Sequence, residues 1–230
     1  MRAAAVTALL IILTAALAAA APVKIVAPDG SPLRGALVRV KLLDGRTYEF
    51  TLDPEAPYKI SSVPLGVLYV TVVSWKGVPV GYTAKVKVGV NGTVTVARIG
   101  RLVVHVVGSR GQGLPGALVK IYYQGRLVEE GRTNESGVYA TLLPEASYRV
   151  EASYGGRNAA AEAAVKGSST AEAELRLPVY AEVGGVPLTA AELAGIVVLA
   201  AALAIAVYIA ASEYAAWRRR WHARTIVPAG

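Results

Sequence analysis

The chain has 230 residues, a formal net charge of +8, no cysteine, and 54% hydrophobic residues. Without cysteine there are no disulfides, thiol nucleophiles, cysteine-ligated zinc sites or iron–sulfur clusters. Histidine is confined to His105 and His222, which excludes most catalytic and metal chemistry, and the positive mean hydropathy points to membrane segments.

At the N-terminus, Met1-Arg2 is followed by an apolar run from Ala3 to Ala21 and then Pro22. The basic start, the Leu/Ile-rich centre from Leu9 to Leu13 and the small residues Ala18-Ala19-Ala20 read as a secretory signal peptide over residues 1–20. An uncleaved signal anchor is the competing reading, because the run is long enough to span a bilayer.

Residues 22–178 read as β structure. Period-two alternation runs through Val67–Val73, Thr83–Val90, Thr93–Ile99 and Thr170–Leu177, and Asn91-Gly92 between two of these runs predicts a two-residue hairpin turn. The segment also repeats itself. Ile25–Val40 aligns without gaps on Val106–Ile121 with seven of 16 positions identical, Leu33-x-Gly35-Ala36-Leu37-Val38 matching Leu114-x-Gly116-Ala117-Leu118-Val119. Farther on, Val63-Pro64 matches Leu143-Pro144 and Ser74-Trp75-x-Gly77 matches Ser153-Tyr154-x-Gly156, while a competing register sets Pro54–Tyr58 against Pro144–Tyr148. The repeat makes the alanine-rich Ala159–Val165 a strand rather than a helix. Units of this size with glycine-punctuated short strands predict an all-β fold of two tandem seven-stranded sandwiches, over 22–99 and 100–178. The connection at Ile99-Gly100-Arg101 is too short to flex, which favours a rigid pair.

A linker over 179–188, with Gly184-Gly185, is expected to act as a hinge above a membrane. Leu193–Ala211 then gives 19 residues without a charge, preceded by a capping box, Thr189-Ala190-Ala191-Glu192. At ~1.5 Å per residue the run spans ~28 Å, close to the hydrocarbon thickness. A transmembrane helix is expected over 189–216, and Ala202, Ala206 and Ala210 form a small-residue stripe suited to self-association. Trp217, Arg218, Arg219, Arg220 and Trp221 serve as membrane-interface anchors at the start of a basic tail, 217–230. Arginines directly after a span place the C-terminus in the cytoplasm and the sandwiches outside the cell.

G-x-P/G-L-x-G-A-x-V, followed by Thr133-Asn134-Glu135-Ser136-Gly137 and Leu143-Pro144 to Tyr148 and Val150, resembles the carboxypeptidase regulatory-like group. These are Ig/transthyretin-like sandwiches related to the collagen-adhesin B repeats. The first repeat departs in the middle, where Tyr58-Lys59-Ile60 replaces the Thr-x-x-x-Gly turn. The resemblance implies the sandwich fold and leaves the function open among stalks, accessory subunits and scaffolds.

Gly111-x-Gly113-x-x-Gly116 has the letters of a dinucleotide fingerprint but opens onto the strand Ala117–Ile121, so it reads as a turn. His105 aligns with Lys24 and reads as an outward-facing position. Asp29, Asp53 and Glu55 match no metal-loop spacing, and no metal or cofactor is expected. Asn91-Gly92-Thr93 and Asn134-Glu135-Ser136 are candidate glycosylation sequons. Trp75 and Tyr154 read first as core or turn packing, with a ligand surface that stacks on sugar rings as the alternative. The charge of residues 22–185, 19 basic against 14 acidic, is a solvated surface and not a nucleic-acid stripe.

These features predict a non-catalytic single-pass membrane protein exposing two sandwiches as a surface structural, adhesion or scaffold element. Its partners would be the lipid bilayer and a protein partner or a second copy. The alternatives are an accessory subunit of a membrane complex and a glycan-binding surface receptor. The composition suits a thermophilic prokaryote, an archaeon.

Overall fold

The computed structural model describes residues 23–53, 66–88 and 92–224, which fall into two compact units. The larger unit holds both repeats up to Leu177, and the smaller holds Gly108–Arg110 and the chain from Pro178 onward. The signal segment, Pro54–Tyr58, Tyr58-Lys59-Ile60, Val63-Pro64 and Asn91 lie outside the described residues.

In the first repeat, β1 (Val23–Val26), β2 (Leu37–Leu42), β3 (Thr47–Thr51), β4 (Gly66–Trp75), β5 (Val78–Val88) and β6 (Gly92–Thr95) form two sheets. One has the order β3-β2-β4-β5, and the other pairs β1 with β6 in parallel. Alternation in the sequence decides the facing. Val38, Val40 and Leu42 on β2 are buried while Arg39 and Lys41 between them are exposed. Leu68, Val70 and Val72 on β4 meet Val23 and Ile25 on β1 and Val94 on β6 in one core.

The second repeat reproduces this plan with β7 (Ile99–Val107), β8 (Leu118–Tyr123), β9 (Arg126–Arg132), β10 (Val138–Pro144), β11 (Ala146–Tyr154), β12 (Arg157–Val165) and β13 (Thr170–Arg176). Its sheets are β12-β11-β8-β9 and β10-β7-β13, again with the first and last strands parallel. The gapless alignment holds down to single hydrogen bonds. Leu52 N–H donates to the Ala36 carbonyl at 2.9 Å, as Thr133 N–H donates to that of Ala117 at 3.0 Å. The stretch Ala159–Val165 is part of the strand β12, as the repeat requires, and the glycines of Gly111-x-Gly113-x-x-Gly116 form a turn before β8.

Three sequence expectations need correction. The strands on either side of Asn91-Gly92 do not form a hairpin with each other: β5 pairs with β4, and β6 pairs with β1 in the other sheet. Alternation in two neighbouring runs shows that both are strands and says nothing about whether they pair. The run Thr93–Ile99 is likewise not one strand, since β6 ends at Thr95 and Ile99 opens β7. The stretch Val179–Pro187 is not an open hinge. Within the smaller unit, Ala181–Val183 (β14) and Val186–Leu188 (β15) form a hairpin turning at Gly184-Gly185, and Ser109 N–H holds the Val179 carbonyl at 2.8 Å.

In the same unit, α1 (Ala190–Arg224) opens at the expected cap: Glu192 N–H donates to Thr189 Oγ1 at 3.2 Å, and Thr189 N–H to Glu192 Oε2 at 2.8 Å. The helix is long and apolar enough to cross a membrane, and its apolar stretch is unburied, with Leu199 70% exposed.

Candidate functional site

The feature that sets this chain apart from two separate sandwiches is the joint between its repeats. The strand β7 begins at Ile99, whose side chain belongs to the first core, so one strand serves both repeats. Around it the backbones interlock. Arg98 carbonyl accepts from Glu145 N–H at 2.9 Å, Ile99 carbonyl from Ser168 N–H at 2.8 Å, and Ser169 carbonyl from Arg101 N–H at 2.8 Å. The approach is close enough to demand glycine. A Cβ on Gly100 would lie 2.2 Å from the Lys166 carbonyl oxygen, and one on Gly167 would lie 2.2 Å from that of Ala97.

Lys76 closes the joint on one side. It sits with Gly77 in the turn between β4 and β5, both residues in the left-handed region at φ 52° and 75°. Such turns fit the twist of a hairpin but favour glycine or asparagine, so a lysine there is held by something else. Its ammonium lies 4.7 Å from the Trp75 ring centroid and reaches three oxygens of the second repeat: Glu129 Oε2 at 2.5 Å, Thr141 Oγ1 at 3.2 Å and the Leu142 carbonyl at 3.0 Å. Three donors and three acceptors leave the ammonium saturated. Glu129 also accepts from Tyr139 Oη at 3.0 Å and from Thr141 Oγ1 at 2.9 Å.

The Lys76 and Glu129 side chains are 25% and 23% exposed, so their attraction is screened less than that of a surface pair. Gly131 makes room for this arrangement, since a Cβ there would meet the Tyr139 ring at 2.2 Å. Burial, and then the Glu129 charge, push the Tyr139 hydroxyl up to about 12. The phenol therefore stays protonated and donating. Chemically this is a satisfied polar knot: it positions two bodies against each other.

The other singled-out residues are scattered. Trp75 takes the packing role of the two considered for it. It is 7% exposed, and its indole N–H donates to the Arg34 carbonyl at 3.0 Å, so its ring is core and offers no face to a sugar. Tyr154 is half-buried at the equivalent end of β11. Asn134 is exposed, its Oδ1 accepting from the backbone N–H groups of Ser136 and Val138 at 3.0 Å each. His105 lies half-buried on β7, and among the described residues no three His, Asp or Glu side chains converge as a metal site. Asp29 instead caps its own turn through Ser31, whose hydroxyl and N–H hold its carboxyl below the usual range. Trp217, Arg218 and Arg219 are exposed on α1, and Arg220 and Trp221 follow on the same helix.

The short connection at Ile99-Gly100-Arg101 is legible in the sequence, whereas Lys76 and its partners are not, although one signal points to them. In Ser74-Trp75-Lys76-Gly77, lysine stands where the other repeat has Gly155, which also adopts a positive φ. A further surface also emerged: Tyr122, Arg149 and Glu151 are shared by two shallow grooves of about 460 and 480 Å³ on the outer face of β12-β11-β8-β9.

No protein-family model and no curated protein matches the chain. Among solved structures it is similar to the Bacillus anthracis TIE protein, at 20% identity and a TM-score of 0.30 over 69% of this chain and 34% of that one. A streptococcal ancillary pilin gives 15% identity and a TM-score of 0.27, covering 69% of this chain and 62% of the pilin. The shaft pilin SpaA from Lactobacillus rhamnosus GG gives 9% and 0.33, with 71% of this chain and all of the pilin covered. The chain thus spans about a third of the first protein and less than two thirds of the second. Overlays this loose carry nothing about ligands or partners to this chain.

Proposed function

We propose that this protein is a non-catalytic, single-pass membrane protein whose two β-sandwiches, of the carboxypeptidase regulatory-like kind, stand outside the cell as one rigid structural, adhesion or scaffold element. The observation that carries the reading is the joint. The polar side chains that cluster between the repeats, Lys76, Glu129, Tyr139 and Thr141, satisfy one another and the main chain. Such a knot holds two modules at a fixed relation. The anchor is supported by the capped apolar helix α1, and the orientation by the arginines that follow its apolar stretch.

The test is to replace α1 with an unrelated single-pass anchor and to purify both forms from native membranes in mild detergent. A structural element keeps its surface role with either anchor and is recovered alone or as a homo-oligomer. Loss of that role together with loss of a stoichiometric membrane protein would make the chain an accessory subunit instead. The groove lined by Tyr122, Arg149, Glu151 and Asn158 favours glycan binding as a second reading, with an aromatic ring beside groups that hydrogen-bond hydroxyls. Tyr122→Ala should abolish glycan-array binding if that reading holds, and leave it unchanged if the face is only solvated.

A further inference from the structure

We propose that the far end of α1 carries a binding site for the phosphate of an anionic phospholipid headgroup, built by Tyr214, Ala215, Arg218 and Arg219. The inference rests on the membrane-anchor reading above. Helical spacing sets Tyr214 over Arg218 and Ala215 over Arg219, one turn apart on neighbouring rows. Ala215 is the small member, and a shallow groove of about 420 Å³ lies over it, walled by the other three. Arg219 Nε donates to the Ala215 carbonyl at 3.3 Å, which lays its guanidinium back along the helix beside this groove and, among the described residues, leaves N–H groups over to donate to a ligand.

The Tyr214 ring leans on that of Trp217, the two centroids 6.1 Å apart, and this steadies the opposite wall. Neither guanidinium makes an ion pair among the described residues. Two cations and a phenol around an open floor match a phosphodiester, whose oxygens accept from guanidinium in a fork. Depth fits as well. From Ala211, the end of the uncharged run, Ala215 and Arg219 lie ~6 and ~12 Å along the helix axis, within and just beyond the headgroup layer.

The experiment uses the full chain in nanodiscs of phosphatidylcholine with a minor share of phosphatidylglycerol, with lipids retained after transfer to detergent counted by native mass spectrometry. Wild type should retain phosphatidylglycerol over phosphatidylcholine by roughly tenfold. Arg218→Gln/Arg219→Gln should abolish the preference. Ala215→Leu, which fills the floor, keeps every charge and suits a helix, should abolish it too. Retention by Ala215→Leu equal to wild type would overturn the proposal, leaving diffuse attraction to a basic tail. Inorganic phosphate that binds in pure phosphatidylcholine discs and displaces phosphatidylglycerol would overturn the lipid as the source. A chain that does not float with lipid would refute the anchor itself, and this result is distinct from a chain that floats without a headgroup preference.

Discussion

Lys76 sits at a strained turn position, over an indole ring, with its ammonium inserted among oxygens of the other repeat. Removing it leaves the Glu129 carboxylate, 23% exposed, without its cation. Lys76→Met should therefore cost about 2 kcal/mol in thermal unfolding of the full chain in detergent. Adding Glu129→Gln should recover part of the loss, because the orphaned charge goes with it. The pH dependence has a definite sign. Tyr139 titrates at about 12 in the folded chain against 10.0 for a free tyrosine, so the folded state holds its proton more tightly. The stability this contributes is complete below pH 10 and is lost as pH rises from 10 towards 12. The stability gap between wild type and Tyr139→Phe should narrow over that window, read by denaturant unfolding at fixed pH values; a gap that is flat or widens would contradict the assigned cause. Trp75 shows why residue-scale sequence reading falls short. Its packing beside a turn was legible, but the acceptor for its indole N–H, the Arg34 carbonyl 41 positions away, is encoded by no local pattern.

Strands were the most legible elements, because a half-buried sheet writes its facing into the chain as alternation. The repeat extended that legibility: Ala159–Val165, composed mainly of a helix-favouring residue, lies in β12, where it pairs along β11. Pairing was less legible. Asn91-Gly92 carries the strongest local hairpin signal in the chain, yet β5 and β6 belong to different sheets, since each sandwich needs its last strand parallel to its first. Gly184-Gly185, read as a hinge, turns a hairpin because Val183 and Val186 beside it pair. The strand β7 was hidden differently, as a domain boundary that proves continuous. If its continuity holds the repeats together, Gly100 within it and Gly167 against its entry are both needed. Gly100→Ala and Gly167→Ala should each destabilise by about 2–3 kcal/mol, since backbone oxygens stand 2.2 Å from the new Cβ. Gly111→Ala, with nothing within 4 Å and only a φ of 80° against it, should cost about 1 kcal/mol. Equal losses at all three positions, in thermal melts, would argue against a tight joint.

At the scale of the whole molecule, the reading requires a helix in lipid and sandwiches on the far side of the membrane from the arginines. Alkaline carbonate should leave the chain in the membrane pellet, and protease added to intact cells should digest the sandwiches while sparing the C-terminal tail. The reverse protection would invert the topology. Asn134, exposed on its turn, should add a glycan mass that Asn134→Gln removes, provided the sandwiches pass through a glycosylating compartment. In the proposed function, the joint is what distinguishes a structural element from two tethered modules, and the absence of cysteine makes it directly measurable, because any pair introduced is labelled uniquely. Spin labels at Thr47→Cys on β3 and Glu172→Cys on β13, both exposed, would report one repeat against the other in the full chain in nanodiscs. Double electron–electron resonance should give a single narrow distance distribution, broadened by Lys76→Met. A broad or two-peaked distribution in the wild type would mean that the repeats move independently, and the account of a rigid surface element would fail.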